Sequence, residues 1–203
     1  KTITGAGIIF PFAFLLPIII NQDFNDYYHV SLGLISLSII SFIDDIKNID
    51  NFLRLLIHSI AVVLIFYQIN ITDYNIIYLI IFFVFITGII NSYNFMDGIN
   101  GINGLYSLSF FLSIFFINKY YFYLIDQYIL FSILISISIF LFYNFRNKAI
   151  YFSGDAGSIT ISYIISFIVL YLIIIDNNIK WILLLGIYGL DSLGTIILRL
   201  IRR

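Results

Sequence analysis

The chain has no cysteine and no glutamate, and only two prolines, one tryptophan and one methionine in 203 residues. Lack of cysteine excludes disulfides and thiolate metal ligands and leaves the redox compartment unread. Both prolines, Pro11 and Pro17, fall in the first apolar run, where they either kink a helix or are tolerated in lipid. Charge is equally scarce: 10% of residues are charged, whereas ordinary globular chains carry about 25%. With 62% hydrophobic residues and a mean hydropathy of +1.06, this composition excludes a soluble domain and defines an integral membrane protein. The net charge of -1 is uninformative, because in a membrane protein placement matters more than total. All eleven acids are aspartates amid abundant Ile, Phe, Tyr and Asn, a bias expected of AT-rich coding sequence. The chain starts at Lys1 without a basic-then-apolar leader and stops at Arg202-Arg203. The expectation is one membrane domain over residues 1–203, truncated at both ends.

What fills the chain instead is a series of apolar runs, over residues 5–20, 30–43, 55–69, 76–92, 105–117, 128–145, 158–175 and 181–200. Crossing a hydrocarbon core takes roughly 17 to 25 helical residues, so the shorter runs must borrow Tyr, Asn or Ser at the interface. β-Branched richness would suggest strands in water, but lipid admits only helices and closed barrels, and the runs lack apolar/polar alternation. The expected fold is an all-α polytopic bundle with about eight spans. No linker is long enough for a soluble domain.

Eight crossings place alternate linkers on alternate sides. One side collects Lys1, Lys47, Arg54, Arg146, Lys148, Arg199, Arg202 and Arg203, and the other only Lys119 and Lys180. The positive-inside rule makes the first side cytoplasmic. Asp44, Asp45, Asp97 and Asp155, from three separate linkers, land on that same side, which suggests a divalent-cation site. Asp23, Asp26, Asp73, Asp126 and Asp176 lie opposite, among Asn, Tyr and Gln, as solvated linker charges.

Polar chemistry and glycine concentrate at a few points. Residues 91–104 carry Asn94, Asp97 and Asn100 at intervals of three, which in helical form share one face, with Gly98, Gly101 and Gly104 on the same spacing. The glycines suit close approach of a phosphate or of another helix. Asp44-Asp45 ends a span and precedes Lys47 and Arg54; one carboxylate can serve a metal or a proton while the other holds a cation or caps a helix. Residues 152–158, Phe-Ser-Gly-Asp-Ala-Gly-Ser, precede the seventh run and would present Asp155 with free amides, to an anion or a metal-bound phosphate, or with Asp155 as a simple N-cap. Asp191 lies inside the last run, with Arg199 two turns away as a buried partner or with a catalytic contact. His58 reads as a satisfied core histidine, and His29 is blander still.

Taken in order, four segments resemble the polyprenyl-phosphate N-acetylhexosamine-1-phosphate transferases, glycosyltransferase family 4. Thr2-Ile3-Thr4-Gly5-Ala6-Gly7 is similar to the family's Thr-Pro-x-Gly-Gly-Gly, with Pro and one Gly replaced. Ser41-Phe42-Ile43-Asp44-Asp45 with Arg54-Leu55-Leu56 resembles its Asp-Asp segment, and Asn94-Phe95-Met96-Asp97-Gly98-Ile99-Asn100-Gly101 and Gly154-Asp155-Ala156-Gly157-Ser158 match the other two. The wording Asn-Phe-Met-Asp-Gly is closest to the undecaprenyl-phosphate N-acetylglucosamine-1-phosphate branch, which starts O-antigen (lipopolysaccharide), enterobacterial or teichoic-type polymers in cell wall biogenesis. Members have about ten or eleven spans, and a histidine-rich cytoplasmic segment and an N-terminal span of the family lack counterparts here. The isolated chain is accordingly expected to have little or no activity.

The resemblance implies transfer of a sugar-1-phosphate from a UDP-sugar to undecaprenyl phosphate in the inner (plasma) membrane, with release of UMP on the cytoplasmic face. It implies Mg2+, or Mn2+ in its place, held by Asp155 with help from Asn94. Asp44 would orient or deprotonate the lipid phosphate, and Asp45 would bind metal or order its water, roles that can be exchanged. Lys47 and Arg54 would attract the lipid phosphate, Asp97 and Asn100 would contact the nucleotide-sugar, and Phe152 would stack on uracil. Membrane lipid and a second copy in a homodimer are further expected partners, and nucleic acid is not. The alternatives are the phospho-N-acetylmuramoyl-pentapeptide transferase of peptidoglycan synthesis and a cation-coupled transporter, whose acids would sit near the bilayer midplane. The enzyme reading requires Asp44, Asp97 and Asp155 within about 12 Å, the reach of one hydrated metal and a diphosphate.

Overall fold

The computed structural model describes residues 4–47, 49–186, 188–191 and 194. Lys1, Thr2, Ile3, Arg199, Arg202 and Arg203, which figure in the motif and charge expectations, lie outside them. The order is α1 (Ile9–Asn21), α2 (Tyr28–Ile46), α3 (Asn51–Ile69), α4 (Ile76–Met96), α5 (Ile102–Tyr120), α6 (Gln127–Asn144) and α7 (Gly154–Asp176), with 3-10 segments at Ala6–Ile8, Asn25–Tyr27 and Ile179–Leu185. No strand occurs among the described residues. The fold is the expected all-α polytopic bundle.

Five helical segments, ending in α2, α3, α4, α6 and α7, are long and apolar enough to cross a membrane. The apolar stretch Ala6–Asn21 is shorter, and Asn103, Asn118 and Lys119 dilute α5. The last expected span, residues 181–200, begins as a 3-10 segment through Leu185 instead of an α-helix. α1 runs unbroken through Pro11 and Pro17, so both are tolerated.

α7 is the axis of the bundle. Its apolar window is 78% buried, against 22 to 39% for the other four long helices, because α2, α4, α1 and the 3-10 segment Ile179–Leu185 all pack on it. Small residues make that possible: Gly157, Ser158, Thr160, Ser162 and Ser166 are all buried along it, and the hydroxyls of Thr160 and Ser166 donate back to carbonyls of α7 itself. Gly33 of α2 leaves room for Tyr163, whose hydroxyl donates to the Ala61 carbonyl of α3 at 3.1 Å and ties three helices together.

The two ends of the bundle are built differently. At one end, Gln22, Asn70 and Asn177 stop α1, α3 and α7 in the left-handed conformation, and Asn75 and Asp126 cap α4 and α6 with side-chain oxygens. Asp176 is part of this dressing but is not merely solvated: it accepts from Trp181 Nε1 at 3.0 Å and pairs with Lys180 at 2.9 Å. At the opposite end the termini of α2, α4 and α7 meet.

Candidate active site

The first amides of an α-helix have no partner within it. In α7 these amides are met by carboxylates from other helices. Gly154 N donates to Asp97 Oδ2 at 2.9 Å, while Asp155 N and Ala156 N donate to Asp45 Oδ1 and Oδ2 at 3.0 and 3.1 Å. Asp97 Oδ1 also accepts from the Ser153 hydroxyl and from Asn103 Nδ2, the latter at 3.2 Å. The N-cap residue is Ser153, so the expectations of Asp155 as N-cap and of amides open to an anion are both corrected. Two carboxylates have taken the positive end of α7. Gly154 sits at φ +69, and a Cβ there would strike Asp45, which explains the glycine before Asp155.

With its amide engaged, Asp155 turns its side chain toward α2 and α3. Asp44 accepts from Ile49 N at 2.8 Å and from Arg54 Nη1 at 2.9 Å, and the same Arg54 nitrogen lies 3.6 Å from Asp155 Oδ2. Asn94 accepts from the Ser158 hydroxyl at 2.9 Å and bonds to the Asp155 carboxylate as well. Asp44 and Asp155 thus face one another across a single guanidinium, with the Asp45 charge also acting on Asp155, a surplus of negative charge that favours a cation.

Residues 91–104 are not one helix. α4 stops at Met96, Asp97 is its C-cap, and the chain turns to re-enter helix after Gly101 at φ +82. The helical face shared by Asn94, Asp97 and Asn100 is therefore not formed. Asn100 donates to the Arg146 carbonyl at 2.9 Å, between α6 and α7. Gly98 meets nothing, whereas Gly104 packs on Leu141 and Phe140 of α6, the helix-packing use of glycine. Burial pushes the Asp97 carboxyl up to about 6, against the opposing pull of Ser153, Gly154 and Asn103.

The remaining expected residues are at the rim. Phe152 is half-buried, and its carbonyl accepts from Ala6 N at 3.2 Å; Gly7 N donates to Ser153 O at 3.1 Å, which docks the N-terminal segment on the Gly-Asp-Ala-Gly-Ser turn. Lys47 is exposed and no ion pair holds it among the described residues. His58 is half-buried, with its Nε2 out of solvent and lacking a partner, so it is not the satisfied core histidine expected. Asp191 is exposed, which corrects its reading as a buried ion-pair member; Arg199 lies outside the described residues. Missed by the motif reading were Ser153, Asn103 and Asn144, whose amide accepts from Gly101 N and donates to Tyr151 O, both at 2.7 Å. In a chain this rich in asparagine, nothing but position marks them.

The donor set can be tested against a magnesium ion. Asp44, Asp45 and Asp97 each have both oxygens engaged by protein donors; Asp155, which meets Asn94 and Asp44 and lies 3.6 Å from Arg54, is more open than Asp44, its side chain 28% exposed against 11%. Among the described residues no three His, Cys, Asp or Glu side chains converge as a ready cage. That fits magnesium, which keeps waters and binds through one or two carboxylates plus substrate phosphate. It does not suit an all-protein calcium cage.

Apolar helices long enough to cross a membrane deliver aspartates to one end of the bundle around one arginine, an arrangement suited to handling phosphate at a membrane. The sequence model of glycosyl transferase family 4 matches residues 27–173, from the start of α2 almost to the end of α7. The chain belongs to that family, and at the family's level it is a polyprenyl-phosphate sugar-phosphate transferase. No curated protein matches it.

Proposed function

We propose that the chain transfers N-acetylhexosamine-1-phosphate, with N-acetylglucosamine as the sugar, from its UDP derivative to undecaprenyl phosphate on the cytoplasmic face of the plasma membrane. A lipid phosphate oxygen attacks the phosphorus bearing the sugar, the bond to the bridging oxygen breaks, and UMP leaves. The observation that carries this reading is Asp155: its carboxylate, more open to solvent than that of Asp44, faces Asp44 across Arg54 with Asn94 beside it. Two anions must meet in this reaction, so charge neutralisation is the main barrier. When bound by Asp155, with Asn94 beside it, magnesium or manganese would neutralise the diphosphate and polarise the phosphorus under attack.

The chain's own groups do the rest. Arg54 draws the lipid phosphate to the cluster, and Lys47, exposed at the end of α2, adds to that attraction. Asp44, fixed by Ile49 N and Arg54, orients that phosphate or takes its proton. Asp45 and Asp97 hold the α7 terminus so that Asp155 points into the cluster, while Phe152 flanks the nucleotide-sugar. A groove of about 950 Å³ between α4 and residues 182–191, walled by Phe85, Ile89, Phe95, Leu185 and Leu190, would take the apolar tail. The acids lie at one end of the bundle instead of on broken helices at its middle, which disfavours a transporter.

The test is Asp155→Asn in the full-length protein. It should abolish magnesium-dependent UMP release from UDP-N-acetylglucosamine while leaving the protein folded. Turnover at the wild-type rate would sink the metal assignment, and a panel of UDP-sugars in the same assay identifies the sugar.

A further inference from the structure

Behind the site, a second polar side chain is buried. Asn103, 6% exposed near the start of α5, donates from Nδ2 to the Tyr93 carbonyl at 3.1 Å and to Asp97 Oδ1 at 3.2 Å, and its Oδ1 accepts from the Tyr188 hydroxyl at 2.6 Å. Two acceptors on one side and a hydroxyl donor on the other allow only one orientation of the amide. Tyr188 is itself locked, stacked on Tyr93 with ring centroids 4.3 Å apart and against Tyr106 at 4.2 Å, and Tyr106 donates to the Leu184 carbonyl at 2.6 Å. The bonds run in one direction, from the Tyr188 hydroxyl through the Asn103 amide to Asp97, which then receives the first amide of α7.

We propose that Asn103 is a positioning residue: held by Tyr188, it fixes the Asp97 carboxylate on the α7 terminus and so sets where Asp155 points. Asn103 touches no reacting atom and acts through Asp97. Leucine would fill the same space but take one of three donors from the half-buried Asp97 carboxylate and the Asn103 acceptor from the Tyr188 hydroxyl. Tyr188 and Leu185 also wall the groove between α4 and residues 182–191, so the segment that shapes the groove is the one that orients the carboxylate. This rests on the transferase reading above, and the experiment separates the two.

Tyr188→Phe and Asn103→Leu are compared with wild type, full-length and in lipid nanodiscs, by steady-state kinetics and by hydrogen exchange over residues 152–158. Loss of one buried hydrogen bond in the chain should speed exchange of the Gly154 and Asp155 amides about tenfold in Asn103→Leu, and by less in Tyr188→Phe. The kcat for UMP release should fall about tenfold, with KM for the UDP-sugar within about twofold of wild type, as expected for a group that acts only through the reacting geometry. Unchanged exchange in both variants, or a raised KM at constant kcat, would overturn the proposal. If Asn103→Leu fails to fold, Tyr188→Phe, which removes a single oxygen, decides by the same two readouts. A wild type that releases no UMP from any UDP-sugar would overturn the reaction alone, and the exchange comparison, which needs no turnover, would still accept or reject the positioning role.

Discussion

Asp97 shows how a single carboxylate can be conspicuous in sequence and still have its work misassigned. An aspartate among glycines in an apolar chain stands out by composition, but which donors reach its oxygens depends on where α7 and α5 arrive, and spacing along the chain does not contain that. In the structure its oxygens take the Ser153 hydroxyl, the Gly154 amide and Asn103, and burial wins over all three to push its pKa up to about 6 from 3.8. A raised folded-state pKa means that the native state binds the proton more tightly than the unfolded chain does. The contribution of this group to stability is then fully present below about pH 4 and is lost as pH rises through about 6, a shift worth roughly 3 kcal/mol. Asp97→Asn cannot ionise. The melting temperature of wild type should therefore fall relative to that of Asp97→Asn by on the order of 5 °C between pH 4 and pH 7, with no further change above it. Parallel melting profiles across that range would show that the group does not titrate there.

Among the elements, the contact between the N-terminal segment and α7 has the least tolerance. Gly7 and Gly157 lie backbone against backbone, and a Cβ on either would overlap the other's Cα. The two hydrogen bonds from Ala6 and Gly7 to the Phe152 and Ser153 carbonyls can form only at that separation. Gly157→Ala should accordingly cost about 1 to 3 kcal/mol by overpacking and lower the melting temperature by several degrees. Gly98→Ala, where an added methyl meets nothing, is the control and should melt with wild type. Equal melting of the two variants would remove the interlock. The glycine motifs were legible because their glycines cluster beside aspartates at the ends of apolar runs. The use of each glycine was not: Gly7 and Gly157 interlock, Gly104 packs on α6, Gly154 clears Asp45, and Gly98 does none of these.

For the molecule as a whole, helix was legible because lipid leaves the backbone no other open-ended choice. The convergence of aspartates followed from counting crossings. What could not be read was the order of layers: that α7 is the buried axis follows from the helices that pack on it, which its small residues admit. The sidedness rests on the same count, with Lys47, Arg54, Arg146 and Lys148 at the site end and Lys119 and Lys180 at the other. Because the chain contains no cysteine, every introduced cysteine is its only thiol, and sidedness can be measured directly. Cysteines replacing Asn100 or Lys148, in the turns at the site end, should react with a membrane-impermeant maleimide in inside-out vesicles and stay unlabelled in right-side-out ones. Cysteines replacing Asp73 or Tyr121, in the turns at the opposite end, should give the reverse pattern. The two sets must label from opposite sides if α4 and α6 each cross the membrane once. Reversal of both patterns would put the site on the outer face, out of reach of a cytoplasmic nucleotide-sugar, and labelling of all four from one side would remove the crossings themselves.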